Sequence, residues 1–158
     1  MREVLIHAEV SAAICRAGRH EPVVAGTTRL SYRQLADEVE RTARGLHALG
    51  VRRGDKVAVL MGNRAEWVIS PLAITSIGAV LVAVNARSTA HELGYVLDHA
   101  DASALILTPT YPRYDYRAML AGQALPKLRN AQGLRSAAAS RCSAWWTWVR
   151  GTSAMFMA

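Results

Sequence analysis

Two histidines and two aspartates are the first residues whose types could do chemistry. His91, His99, Asp98 and Asp101 lie in the segment STAHELGYVLDHAD. Histidine can bind a metal ion or exchange a proton near neutral pH. Positions 91 and 99 are too far apart on one helix to share a metal ion, and one histidine beside one aspartate is common. No serine lies in a G-x-S-x-G turn. We therefore predict neither a catalytic residue nor a metal site.

Nucleotide chemistry would require a loop that wraps phosphate groups, and the sequence has no recognised motif for one. Nothing fits GxxxxGK[ST], and no GxGxxG follows a predicted strand. The segment MGNR, Met61 to Arg64, follows the apolar run KVAVLM. Backbone N–H groups at the start of a helix there could hold an anion. Such turns occur wherever a strand leads into a helix, so we interpret this one as scaffold.

The elements that must position these residues alternate between helix and strand. Ser31 with Gln34, and Thr89 with Glu92, have the spacing of capping boxes and predict two helix starts. KVAVLM has no polar alternation, which is typical of a parallel strand covered on both faces. The order predicts an α/β fold of mostly parallel strands with flanking helices. The expected elements are a helix over 3–17, a hairpin in PVVAGTTRLSY, a helix from Ser31 to Gly50, the strand KVAVLM, a helix over 64–76, a strand over 79–84, the helix after Thr89 and a strand over 103–108.

The segment from Trp67 to Ala86 contains 20 residues without a charge, the length of a membrane span. Pro71 and several small polar residues interrupt it, and AVLVAV near its end is typical of a buried strand. We therefore expect a helix followed by a strand rather than a membrane span.

The net charge of +7 lies almost entirely in the last part of the chain. Residues 1–115 hold 13 basic and 12 acidic residues, whereas residues 116–158 hold 6 basic and no acidic residues. The cluster of Arg52, Arg53 and Lys56 has no aromatic neighbours for base stacking, so we expect no nucleic-acid partner. From residue 129 onward the sequence has no helical or strand periodicity. We interpret residues 129–158 as an aberrant, irregular tail, frameshifted or disordered, with a natural basic, Trp-rich binding tail as the alternative.

Cysteine usage and the start of the chain indicate the cytoplasm. Cys15 and Cys142 form no CxxC motif, and the first residues carry charges where an export signal needs an apolar core.

The stretch from Leu30 to Ile106 closely resembles the amino-terminal region of adenylate-forming ligases. The resemblance runs from LSYRQLADEVERTARGL through GVRRGDKVAVLMGNRAEW to GAVLVAVNARSTAHEL and LILT. This family contains the AMP-forming acyl-CoA synthetases, including fatty-acid-CoA ligases. Residues 1–128 are thereby identified as part of the amino-terminal domain of such a ligase, and residues 129–158 have no recognised counterpart.

The resemblance implies a two-step activation of a carboxylic acid. ATP and the acid give an acyl-adenylate, and the thiol of coenzyme A then displaces AMP; the intact family thus uses ATP, Mg²⁺ and coenzyme A. The phosphate loop ending in Pro-Lys and the catalytic lysine of the carboxyl-terminal domain do not occur in this chain, so we expect it to hold no cofactor alone. Arg87, in VNARST, matches a basic position that in some relatives lies near the coenzyme A 3′-phosphate. The alternative for Arg87 is an exposed arginine at a helix start.

We therefore expect a truncated ATP-dependent acyl-CoA ligase of fatty acid metabolism that is inactive alone. The expected partners are a second copy of the chain or a full-length ligase, because a truncated domain exposes apolar surface. The alternative is a non-catalytic binding or regulatory module that docks on a full-length ligase, or on a membrane surface, through the basic tail.

Overall fold

A computed structural model describes residues 20–108, 110–121 and 146–149, together with Glu9, Ala12, Ala13 and Arg16. The predicted helix over 3–17 lies mostly outside the described residues, although its four described positions are helical. The elements in chain order are β1 (Val23–Ala25), β2 (Thr28–Leu30), α1 (Tyr32–Ala48), β3 (Lys56–Leu60), α2 (Ala65–Ser76), β4 (Val80–Ala83), α3 (Ala90–His99), β5 (Ala104–Leu107), β6 (Thr110–Tyr111), β7 (Tyr114–Asp115), α4 (Tyr116–Ala121) and β8 (Trp146–Val149).

The β1–β2 hairpin and helix α1 form as the sequence predicts. Val23 lies opposite Leu30 in the antiparallel register of the hairpin. Ser31 accepts a hydrogen bond from the Gln34 backbone N–H, and the Gln34 side chain accepts one from the Ser31 N–H at 2.9 Å. This capping box satisfies two of the backbone donors that every helix start leaves open. The chain leaves α1 through Gly50, whose φ of 91° suits a residue without a Cβ atom.

The i,i+4 spacing of Asp37 with Arg41 and of Glu40 with Arg44 predicts two ion pairs on the outer face of α1, and only the second of them forms. Arg44 contacts Glu40 at 3.5 Å, whereas Arg41 contacts Glu38 at 2.6 Å instead of Asp37. Residues three apart on a helix are as close as residues four apart, so Arg41 has two acidic neighbours within reach. The Arg44–Glu40 pair is exposed and the Arg41–Glu38 pair is half-exposed, so both add little to stability.

Strand β3 is the centre of the main sheet, whose strand order is β4-β3-β5-β8. It pairs in parallel with β4 on one side and with β5 on the other. Val57 and Val59 pack into a cluster with residues of α1 and α2, whereas Ala58 and Leu60 pack on the opposite face with residues of α3 and α4. The prediction of a parallel strand buried on both faces is confirmed.

Helix α2 followed by strand β4 replaces the membrane span considered for residues 67–86. Ile74 of α2 packs against the sheet, while Ile69 and Leu72 pack against the β1–β2 hairpin and α1. A helix covered on several sides needs apolar residues all round, which explains the long uncharged run. Over the described part of the chain, the apolar helices are all too short to cross a bilayer.

Strand β4 is less buried than the sequence predicts. Among the described residues it pairs only with β3, and Val80 is 49% exposed. The prediction of a buried strand is wrong for Val80 and Ala83, which are exposed, because β4 lies at the edge of the sheet among the described residues.

The structure describes four residues of the tail, and they form a strand that the sequence analysis does not predict. Trp146–Val149 pairs antiparallel with β5, with Trp146 opposite Leu107. Strand pairing uses backbone groups, so an edge such as that of β5 can recruit a segment without alternating polarity. The other residues of the tail lie outside the described residues, and the boundary at 128 stays a prediction.

We expect Ser70→Ala to raise the free energy of unfolding by about 1 kcal/mol, because the substitution removes a polar atom that is buried without compensation. Ser70 is fully buried in α2, and its hydroxyl has no hydrogen-bond partner among the described residues. Urea unfolding at neutral pH measures the change. The matched control is Ser76→Ala on the same helix, where an exposed hydroxyl donates to the Ala73 carbonyl at 2.8 Å and the expected change is within about 0.5 kcal/mol. A lower free energy of unfolding for Ser70→Ala would show that the Ser70 hydroxyl does have a hydrogen-bond partner.

Candidate functional site at the carboxyl edge of the parallel strands

The connections that leave β3 and β4 run to opposite faces of the sheet. Helix α2 follows β3 and packs on the Val57 face, whereas α3 follows β4 and packs on the Leu60 face. In open α/β sheets, ligands bind where neighbouring strands send their connections to opposite sides, at the carboxyl ends of the strands. We call this region the carboxyl edge; it comprises the loops 61–64 and 84–89 and the β6–β7 hairpin.

An ion pair between Arg64 and Glu66 holds the β3–α2 loop in place. Arg64 donates from Nε and a terminal guanidinium nitrogen to both carboxylate oxygens of Glu66, at 2.7 and 2.8 Å. Glu66 is only 6% exposed and lies in the first turn of α2. Its carboxylate supplies the negative charge that a helix amino terminus attracts. The geometry agrees with the scaffold interpretation of MGNR, because Arg64 and the helix end already have an anion.

The Tyr111 side chain of the β6–β7 hairpin packs on Gly62 in the same loop. A Cβ atom at Gly62 would overlap the Tyr111 ring. The Tyr111 and Tyr114 ring centroids are 6.5 Å apart, and those of Tyr114 and Tyr116 are 6.3 Å apart. Three tyrosines in the segment TYPRYDYR could have signalled this cluster, and the sequence analysis missed it. The cluster joins the hairpin and α4 to the loop after β3.

The β4–α3 loop carries Arg87, the one residue that the resemblance suggests for a ligand contact. The backbone N–H of Arg87 donates to Asn85 Oδ1 at 2.9 Å, and the Ser88 N–H donates to the Asn85 carbonyl at 3.0 Å. The Tyr116 hydroxyl donates to the Ala86 carbonyl at 2.5 Å. Arg87 itself is exposed, and its side chain makes no recorded hydrogen bond or ion pair within the described residues.

Two titratable groups beside this loop have shifted pKa values. Burial, followed by the nearby phenols of Tyr111 and Tyr114, raises the pKa of Tyr116 to about 12. The phenol therefore stays protonated and can donate its hydrogen bond at neutral pH. At the start of α3, hydrogen bonds from the backbone and the side chain of Thr89 lower the pKa of Glu92. The Glu92 carboxyl is therefore ionised at neutral pH. The predicted capping box of Thr89 and Glu92 is confirmed.

The two histidines of α3 are both exposed. Tyr95 stacks on His99 with ring centroids 5.4 Å apart, on the outer face of the helix. Asp101 Oδ2 lies 3.8 Å from Lys56 Nζ. Within the described ranges, no three metal-ligating side chains of His, Cys, Asp or Glu come together.

A shallow cleft of about 550 Å³ lies along the β6–β7 hairpin. Its lining is confined to Tyr111, Pro112, Arg113, Tyr114 and Asp115. It offers one cation and one carboxylate beside aromatic rings, and this small set does not by itself define a reaction.

Comparison with known proteins decides the family. A family model described as "AMP-binding enzyme" matches residues 11–146, which is most of the chain. The chain belongs to the AMP-binding enzyme family. The match continues beyond residue 128, where the recognised resemblance ends.

Among curated relatives of this AMP-binding family member are two ligases from distant organisms. The chain is 39% identical over 93 residues to the acyl-CoA ligase sidI of Aspergillus fumigatus, which covers 59% of the chain and 16% of that protein. It is 38% identical over 104 residues to the putative acyl-CoA synthetase YngI of Bacillus subtilis, covering 66% of the chain and 19% of that protein. The chain thus spans less than a fifth of the length of these relatives.

Solved structures share the fold of the chain. The amino-terminal subdomain of Klebsiella oxytoca NpsA superposes with a TM-score of 0.64 at 26% identity, covering 75% of this chain and 33% of that one. A mutant form of coronafacic acid ligase from Pectobacterium brasiliense gives a TM-score of 0.73 at 20% identity, over 80% of this chain and 25% of that one. The predicted α/β fold of an adenylate-forming ligase amino-terminal domain is confirmed.

We expect Gly62→Ala to lower the free energy of unfolding by about 1–3 kcal/mol, because the new Cβ atom displaces the Tyr111 ring. Urea unfolding measures the loss. The second variant, Gly62→Ala with Tyr111→Ala, removes the overlap. It should lose less stability than the sum of the two single variants. Additive losses would show that Gly62 and Tyr111 do not pack on each other.

We expect the stability of the chain to fall as the pH rises above about 10, with a contribution of about 2–3 kcal/mol from Tyr116 by pH 12. In this range the unfolded chain loses the phenolic proton while the folded chain keeps it, because burial raises the pKa of Tyr116 from 10.0 to about 12. The unfolded state then binds fewer protons, so the free energy of unfolding decreases with pH. Urea unfolding at about pH 9 and about pH 11.5 tests this. Tyr116→Phe should lose less stability between the two pH values than the unmodified chain, and an equal loss would contradict the assignment.

Proposed function

We propose that this chain is a section of the amino-terminal domain of an ATP-dependent acyl-CoA ligase of fatty acid metabolism, acting on fatty or aryl acids. The observation that carries the proposal is the family match over residues 11–146 together with the parallel unit β3-α2-β4-α3-β5. A medium-chain acyl-CoA ligase, mitochondrial ACSF2 of Rattus norvegicus, is 36% identical over 104 residues and supports a fatty acid as the substrate class. In the complete enzyme the acid would first form an acyl-adenylate and then a thioester with coenzyme A.

We also propose that the 158-residue chain does not carry out the adenylation step by itself. Forming an acyl-adenylate requires several donors and cations around the triphosphate, because its negative charge must be neutralised as pyrophosphate leaves. The sequence contains no glycine-rich phosphate loop with a lysine. At the carboxyl edge, Arg64 Nε lies 2.7 Å from Glu66 Oε2, which leaves Arg87 and Arg113 as the exposed arginines of the described loops of that edge. Two exposed arginines do not replace a loop that encloses phosphates.

Within this proposal, Arg87 contacts a phosphate of coenzyme A. Its exposure and the absence of a side-chain partner among the described residues support the assignment, since an arginine already paired with a carboxylate would have to exchange one anion for another.

The cytoplasm is the proposed location. The support is that Cys15 and Cys142 are far apart in the sequence and form no disulfide pattern typical of exported proteins.

We expect no acid-dependent exchange of radiolabelled pyrophosphate into ATP when the purified chain is incubated with a panel of fatty and aryl acids. The physical reason is the missing phosphate loop, without which the developing charge on the pyrophosphate oxygens is not stabilised. The positive control is the medium-chain acyl-CoA ligase ACSF2 of Rattus norvegicus under the same conditions. Exchange above the protein-free background that depends on an added acid would overturn the proposed inactivity.

A further inference from the structure

The peptide unit between Ala86 and Arg87 is held at both of its polar ends. Its carbonyl accepts the hydrogen bond from Tyr116 Oη at 2.5 Å, and its N–H donates to Asn85 Oδ1 at 2.9 Å. A peptide unit is planar and rigid, so two hydrogen bonds at opposite ends fix the orientation of the whole plane. The Arg87 Cα atom is one corner of that plane. The position of this Cα atom is therefore fixed, and the hydrogen bond from the Ser88 N–H to the Asn85 carbonyl at 3.0 Å restricts the backbone on its other side.

The hydrogen bond from Tyr116 is long-range and anchored in the core. Tyr116 begins α4 and is 0% exposed, and it packs with Leu93, Leu97 and Leu107 on one face of the sheet. Its hydroxyl reaches a loop that is 30 residues away in the sequence. A phenylalanine ring could fill the same apolar space, so the specific contribution of the hydroxyl is the bond to the Ala86 carbonyl.

The arrangement leaves the Arg87 backbone fixed and its head group exposed. Two other arginines in the described part of the chain, by contrast, already have partners. Arg64 binds both oxygens of Glu66, and Arg52 donates to the backbone carbonyl of His47 at 2.7 Å. Arg87 is exposed, and no bond of its guanidinium is recorded within that part. A fixed backbone lowers the ordering cost that a ligand must overcome when it binds such a side chain.

We infer that Tyr116 and Asn85 are positioning residues that orient Arg87 toward a phosphate monoester at the carboxyl edge. Neither residue contacts the ligand in this arrangement; each acts through the Ala86–Arg87 peptide. The inference rests on the proposed contact between Arg87 and coenzyme A, and it adds the residues on which that contact depends.

The test is calorimetric titration of the full 158-residue chain with adenosine 3′,5′-bisphosphate at low ionic strength, with 5′-AMP as the ligand that lacks the second phosphate. We expect Arg87→Ala to weaken binding of the bisphosphate by at least about tenfold, because a charge-assisted hydrogen bond is lost. Tyr116→Phe should weaken it by about three- to tenfold, since the peptide plane loses one of its two anchors. In the Arg87→Ala background, Tyr116→Phe should have no further effect.

The matched control is Tyr114→Phe, which removes a hydroxyl from the ring 6.3 Å from that of Tyr116. We expect it to bind the bisphosphate as the unmodified chain does. A general loss of structure in Tyr116→Phe would weaken binding in both backgrounds, whereas a positioning role weakens it only when Arg87 is present. Amide hydrogen exchange gives a readout without a ligand: exchange at the Arg87 N–H should accelerate in Tyr116→Phe and stay unchanged in Tyr114→Phe.

The outcomes separate this inference from the proposed function. If Arg87→Ala weakens binding and Tyr116→Phe binds normally, the positioning role is overturned and the phosphate contact stands. If Arg87→Ala binds the bisphosphate as tightly as the unmodified chain, or if the unmodified chain does not bind it, both the phosphate contact and the positioning role are overturned. Unchanged exchange of the Arg87 N–H in Tyr116→Phe also overturns the positioning role.

Discussion

The burial of β3 on both faces is the constraint on which the rest of the described structure depends. Its five residues pair with parallel strands on both sides, and Val57 and Leu60 face opposite apolar clusters with no exposed surface. A parallel strand of this kind needs a helical layer above and below it. The positions of α1 and α2 on one face, and of α3 and α4 on the other, follow from that requirement.

The same constraint determines where a ligand could bind. Because α2 and α3 must cover opposite faces, the chain leaves β3 and β4 in opposite directions and opens the carboxyl edge between them. The first of the two loops is closed by the Arg64–Glu66 pair and by Tyr111 packed on Gly62. The second presents Arg87 on a peptide held by Asn85 and Tyr116. One loop therefore stabilises the edge, and the other leaves a cation exposed.

The chain spans a small part of the length of its curated relatives. The chain corresponds to 16–19% of the length of the acyl-CoA ligases compared above. An α/β unit of this size can bury a core, yet a site for a triphosphate and an acid needs donors from several loops arranged around a closed space. The exposed side of β4, with Val80 49% accessible, is the kind of surface that a larger domain covers.

The sequence by itself determined the elements from β1 to β5 and the family, but not β6, β7, α4 or β8. Local signals suffice for these features: the capping boxes at Ser31 and Thr89 fix two helix starts, and the uninterrupted apolar run of β3 requires cover on both faces. Only the tertiary structure decided that β4 is half-exposed, that Trp146–Val149 pairs with β5, and that Tyr116 reaches the Ala86 carbonyl. The physical reason is the separation in sequence between the residues that interact. Capping and periodicity act over three or four residues, whereas strand neighbours and the 30-residue hydrogen bond of Tyr116 depend on how distant segments pack together.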